Sequence, residues 1–124
     1  MILGIGTDIV EIKRIEALSK RQGFEEKLYT AGELEYAREC GHYHSALAAR
    51  FAAKEAVVKA LGHGFGGWPP QDVEVGKRAL GLPYIILHGE AKAFAEKLGV
   101  SHLHVSLSHS EQYATAVVVA EAQD

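Results

Sequence analysis

The chain of 124 residues has one cysteine, Cys40, one methionine, one tryptophan and three prolines. A lone cysteine excludes an internal disulfide and suits a reducing compartment. No apolar run approaches the roughly 18–20 residues that a membrane span requires. Met1 leads straight into a strand pattern, without the basic stretch and small-residue cleavage site of an export signal. A soluble, cytoplasmic protein with no membrane partner is expected. The net charge is only -3, so bulk attraction to nucleic acid is not expected either. Internal repeats and low-complexity tracts are missing. With 48% hydrophobic residues the chain is globular, and its length suits a single domain, 1–124, with a modest core.

What is present centres on Ala48–Gly62. This stretch is rich in alanine, lacks helix breakers and ends at Gly62, which suits the left-handed position after a helix. On a wheel of about 100° per residue, Leu47, Phe51, Val58 and Leu61 form a bulky apolar arc. Ala49, Ala52, Ala53, Ala56 and Ala60 form a small-residue arc. Glu55 and Lys59 lie between them, and no broad solvated face remains, so the helix is predicted to meet protein on most sides. By itself a Glu/Lys pair at this spacing is an ordinary helix pair worth about 0.2–0.5 kcal/mol.

Asp8 changes that reading. It stands in Leu3-Gly4-Ile5-Gly6-Thr7-Asp8-Ile9-Val10, a short apolar strand with two glycines and a carboxylate at its exit. Asp8 and Glu11 also form a D-x-x-E pattern that could open a helix, which makes Asp8 equally a candidate N-cap. If strand and helix pack together, two carboxylates and one ammonium converge. Two carboxylates with room for water suit Mg²⁺, which shares its shell with substrate phosphates, and a lysine adds a point charge for phosphate. The glycines are no dinucleotide fingerprint, because Ile9 occupies the third glycine position of G-x-G-x-x-G.

Beyond the strand a helix is predicted to about Gln22, with Ile12, Ile15 and Leu18 on one side and Lys13, Arg14, Lys20 and Arg21 on another. Such a face is either solvated or drawn to an acidic partner by its local field. Thr30 to Glu33 is a capping box opening another helix. His63 to Pro70 is a glycine-rich loop whose backbone N–H groups could approach phosphate, or which simply turns. Short strands follow at about 72–75 and 83–88, then a helix at 90–98 and a hairpin of 102–108 with 113–120. The class is α+β, a small antiparallel sheet packed with one long central helix and shorter helices. His102, His104, Ser106 and Ser108 share one face of their strand. With His109 they raise a zinc site, but an acidic third ligand nearby in sequence is missing. A Ser/His/Asp hydrolase from Ser108, His109 and Asp8 lacks a nucleophile elbow.

Gly4-Ile5-Gly6-Thr7-Asp8-Ile9-Val10-Glu11, Arg50-Phe51-Ala52-Ala53-Lys54-Glu55-Ala56 with Lys59-Ala60-Leu61-Gly62, and Val105-Ser106-Leu107-Ser108-His109 together resemble the holo-[acyl-carrier-protein] synthases. These are the short, single-lobed 4′-phosphopantetheinyl transferases, and the resemblance runs nearly end to end. It implies the transferase fold and transfer of 4′-phosphopantetheine from coenzyme A to a serine of apo acyl carrier protein, releasing 3′,5′-ADP, in support of fatty acid biosynthesis. It implies Mg²⁺ on Asp8 and Glu55, with Lys59 beside the phosphates and Glu55 or a water on the ion as base. Arg50, Lys59, Gly62, Gly64, Ser106, Ser108 and His109 are the implied coenzyme A contacts. Arg50 and Lys54, turned away from Glu55 on the wheel, are expected at the coenzyme's outer phosphate or a neighbouring subunit. Lys13, Arg14, Lys20 and Arg21, supported by Lys27, are the implied dock for the acidic carrier. The family's short members form trimers with the active site at a subunit junction, so a homotrimer is expected. A noncatalytic module that binds the carrier or a nucleotide is the alternative.

Overall fold

The computed structural model describes residues 1–63 and 67–124. β1 (Ile2–Glu11) leads into α1 (Ile12–Ser19), a short α2 (Phe24–Leu28), α3 (Ala31–Glu39) and the long α4 (Tyr43–Ala60). After a single 3₁₀ turn at Pro70–Asp72 come β2 (Val73–Lys77), β3 (Pro83–Leu87), α5 (Gly89–Leu98), β4 (His102–His109) and β5 (Tyr113–Glu121). One antiparallel sheet has the order β1-β5-β4, and β2 and β3 form a separate antiparallel ribbon. The predicted α+β class holds, with its antiparallel sheet packed on a long central helix.

α4 begins five residues earlier than the alanine-rich stretch, at Tyr43, and only Lys59 along it is exposed. Its small arc explains how. Gly4 and Gly6 of β1 face the helix, where a Cβ would come 1.9 Å from the Ala60 carbonyl oxygen and 2.0 Å from that of Ala56. Strand backbone therefore rests on helix backbone, a seat only glycine permits. On the neighbouring strand Ala114, Ala116, Val118 and Ala120 are buried against the same helix, with Ala49, Ala52, Ala53 and Ala56 in the shared core. Gly62 ends the helix at φ 71°, the left-handed conformation anticipated for it.

Two local expectations fail here. Asp8 is no helix cap: β1 runs on to Glu11, Asp8 pairs with Ala116 within the ladder, and α1 starts at Ile12 without a side-chain cap. Continued pairing with β5, through Glu11 opposite Tyr113, outcompetes the local capping pattern. α1 also stops at Ser19, short of Gln22, and Gly23 with φ 81° turns the chain into α2.

Candidate active site

The packing of β1 on α4 decides where the carboxylates go. Because side chains alternate along a strand, Gly4, Gly6 and Asp8 share the helix-facing side. Asp8 thus reaches the part of α4 that displays Glu55 and Lys59. The Lys59 ammonium donates to the Thr7 carbonyl at 2.9 Å and lies 3.3 Å from Asp8 Oδ1. Glu55 is half-buried, and its carboxyl holds its proton above the ordinary glutamate range. Burial is the main cause, the nearby Asp8 carboxylate adds to it, and Lys59 offsets part. The structure thus brings Asp8, Glu55 and Lys59 close together where β1 packs on α4. Among the described residues no set of three or more His, Cys, Asp or Glu is placed to hold a metal. A hard divalent cation on Asp8 and Glu55 would complete its shell with water or substrate oxygen, a donor set that suits these two acids.

Glu55 also stands on the wall of a cavity of about 260 Å³ lined by Leu28, Phe51, Val58, Trp68 and Val73. None of these five was given a role at the site from sequence. The available signal was the bulky arc of α4, since Phe51 and Val58 flank Glu55 and stay only half-buried. Lys54, expected at an outer phosphate, is instead turned inward, where its ammonium pairs with Glu33 Oε1 at 2.9 Å. The cause is a buried acid from α3 that the capping box concealed: Glu33 caps Thr30 and also faces the core.

Arg50 is 3% exposed, its guanidinium lying 4.2 Å from the Tyr36 ring centroid and its Nε without a hydrogen-bond partner. Among the described residues no carboxylate pairs with it, and burial depresses its pKa below the ordinary arginine value. It borders a second cavity, about 180 Å³, together with His42, Lys77, Pro83 and His109. An under-satisfied buried cation beside two histidines and a lysine is built to receive an anion. The serines do not join it. Ser106 and Ser108 lie opposite Val117 and Thr115 on the outward face, whereas His109, opposite buried Ala114, points to the helix side, its ring centroid 5.5 Å from that of His42. The period-two alternation of β4 sets Ser106 and Ser108 on the face opposite His109. Zinc ligation by His102, His104 and His109 fails for the same reason. Gly62 is exposed at the end of α4, and Gly64 lies outside the described residues. Lys13, Arg14, Lys20, Arg21 and Lys27 are all exposed, while Ile12 and Ile15 anchor α1 to the core.

The sequence as a whole and its α+β frame also match known proteins. Residues 4–118 match the model of the 4′-phosphopantetheinyl transferase superfamily, so the chain is an enzyme of that class and not a noncatalytic module. It is 43% identical over 122 residues to holo-[acyl-carrier-protein] synthase of Clostridium kluyveri, covering 98% of this chain and 91% of the relative. The crystal structure of holo-[acyl-carrier-protein] synthase from Neisseria meningitidis superposes with a TM-score of 0.88 at 40% identity, covering 98% and 99% of the two chains. That of the Helicobacter pylori enzyme in complex with coenzyme A gives 0.83 at 34% identity, with coverage of 94% and 99%. The chain belongs to the holo-[acyl-carrier-protein] synthase family.

Proposed function

We propose that this enzyme moves the 4′-phosphopantetheine arm of coenzyme A onto a serine hydroxyl of apo acyl carrier protein, releasing 3′,5′-ADP and equipping the carrier for fatty acid synthesis in the cytoplasm. One observation carries the reading: Asp8, Glu55 and Lys59 meet where β1 packs on α4, and Glu55 of the three also stands at the rim of an apolar cavity. A pyrophosphate set at that rim would place its arm in the cavity and its nucleotide outside. At about 260 Å³ the cavity is smaller than the roughly 300–1,000 Å³ of pockets that enclose whole drug-sized ligands, which suits a slender arm. Mg²⁺ held by Asp8 and Glu55 would neutralise charge on the pyrophosphate as the bond to the leaving phosphate breaks. Lys59 adds a second positive charge to the same group. Glu55, whose proton affinity is raised, is suited to take the proton of the attacking serine.

Arg50 and His109 border a cavity on a different side of α4, and we assign that cavity the coenzyme's outer phosphate. The two sites are brought together by a homotrimer. Its support is the outward face of the β1-β5-β4 sheet. The rows Ile5–Val119–His104 and Ile9–Thr115–Ser108 leave Ile5 62% and Ile9 63% exposed, an apolar surface that a neighbouring copy would cover. On this reading Ser106 and Ser108 face the neighbour, and any contact they make with coenzyme belongs to the junction. The exposed cations Lys13 and Arg14 of α1, with Lys20 and Arg21 just beyond it, supply the field that docks the acidic carrier.

The test is direct. Apo acyl carrier protein incubated with coenzyme A, Mg²⁺ and the enzyme is expected to gain the mass of one phosphopantetheine. Asp8→Ala and Glu55→Ala should each abolish that gain while carrier binding persists. A fully active variant at either position would overturn the assignment.

A further inference from the structure

Lys54 takes no part in the chemistry above, yet its ammonium is held by three acceptors. Its side chain is only 5% exposed and that of Glu33 is fully buried. The ammonium donates to Glu33 Oε1, to the Pro70 carbonyl at 3.2 Å and to the Val73 carbonyl, which uses all three of its protons. Glu33 accepts in turn from the backbone N–H of Thr30 and of Val75. One buried ion pair therefore ties α3 and α4 to the segment running from the 3₁₀ turn into β2. That segment, with Trp68, forms the wall of the 260 Å³ cavity facing Phe51 and Glu55 on α4. A second tie holds the wall from outside, where the Gln71 side-chain amide donates to the carbonyls of Glu26 and Tyr29.

A pair of this kind is a poor device for stability. Burying both charges costs several kcal/mol, and apolar replacements of similar volume are often neutral. It is a good device for distance, because an ammonium with three fixed acceptors permits one separation between the helix and the wall. We infer that Lys54 is a positioning residue that sets the width of this cavity, and so the fit of the phosphopantetheine arm, without touching the phosphates. The inference rests on the assignment of the arm to the cavity. Apolar walls grip the arm along its length and register its first phosphate against Asp8 and Glu55. A wall released by a fraction of an ångström loosens the arm but leaves the nucleotide end of the coenzyme untouched.

The experiment compares wild type with the double variant Lys54→Met, Glu33→Gln, which removes both charges so that neither remains buried alone. Affinities for coenzyme A and for 3′,5′-ADP, which lacks the arm, are read by calorimetry, and KM and kcat by carrier mass. The expected result is a rise on the order of ten-fold in both Kd and KM for coenzyme A, with 3′,5′-ADP affinity and Tm changed little. Coenzyme A affinity unchanged, or affinity for both ligands falling in parallel, overturns the inference. Should the double variant fail to fold, Gln71→Ala frees the same wall from outside and must shift the same ratio in the same direction. A wild-type enzyme that bound coenzyme A without transferring the arm would refute the transferase reading, and the ratio of the two affinities would still be measurable.

Discussion

At the scale of single residues, Glu55 is held where its charge is disfavoured, by burial first and by Asp8 second. A carboxyl whose folded-state pKa is raised contributes stability below its ordinary pKa. That contribution is lost as the pH rises through the elevated value, because the folded chain then parts with a proton it had bound more tightly than the unfolded one. The metal-free protein should therefore weaken as the pH climbs past the usual glutamate range. Glu55→Gln should raise its Tm at neutral pH by about 1–3 °C, a small effect because the group is partly solvated. Mg²⁺ should reverse the order, stabilising wild type by mass action and leaving the variant unmoved. Thermal melts of both proteins with and without Mg²⁺ check this, and a wild type indifferent to the ion would remove the metal from Glu55.

At the scale of elements, the contact of β1 with α4 is the hinge of the site, and Gly6→Ala tests it. A Cβ 2.0 Å from the Ala56 carbonyl oxygen must push strand from helix, costing about 1–3 kcal/mol as overpacking does. Urea unfolding should show that loss, and transfer should fall with it as Asp8 leaves Glu55. The exposed cations in and just after α1 call for a different measurement. Reversing charge at Arg14 and Arg21 should weaken carrier binding strongly at low salt and less at high salt, and an affinity independent of both would return α1 to solvent. Most of this was legible in advance. The wheel of α4 and the hairpin of β4 with β5 follow from periods of 3.6 and 2, which packing obeys. What eluded sequence was long-range. Asp8 looks like a cap until β5 pairs with it, and Lys54 looks free for an outer phosphate or a neighbouring subunit until Glu33 arrives from α3. The cavity wall at Trp68 and Val73 exists only once the 3₁₀ turn is pinned across α4.

At the scale of the whole molecule, the sheet leaves its second face apolar toward β1 and β5 and polar toward β4. Ile5→Glu should keep the monomer's fold, since the side chain is already exposed, but should lower the mass measured by sedimentation equilibrium and abolish transfer together. A variant that sediments as wild type would remove this face from the proposed trimer. The bare seat of Gly4 and Gly6 has a consequence for ion choice as well. The roots of the two acids spring from main chains already in contact, so the gap between them has little elasticity. Calcium, with bonds to oxygen roughly 0.3–0.5 Å longer than those of magnesium, would ask the helix to rise off the strand. Discrimination against the larger ion would then be vested in two residues that have no side chain at all.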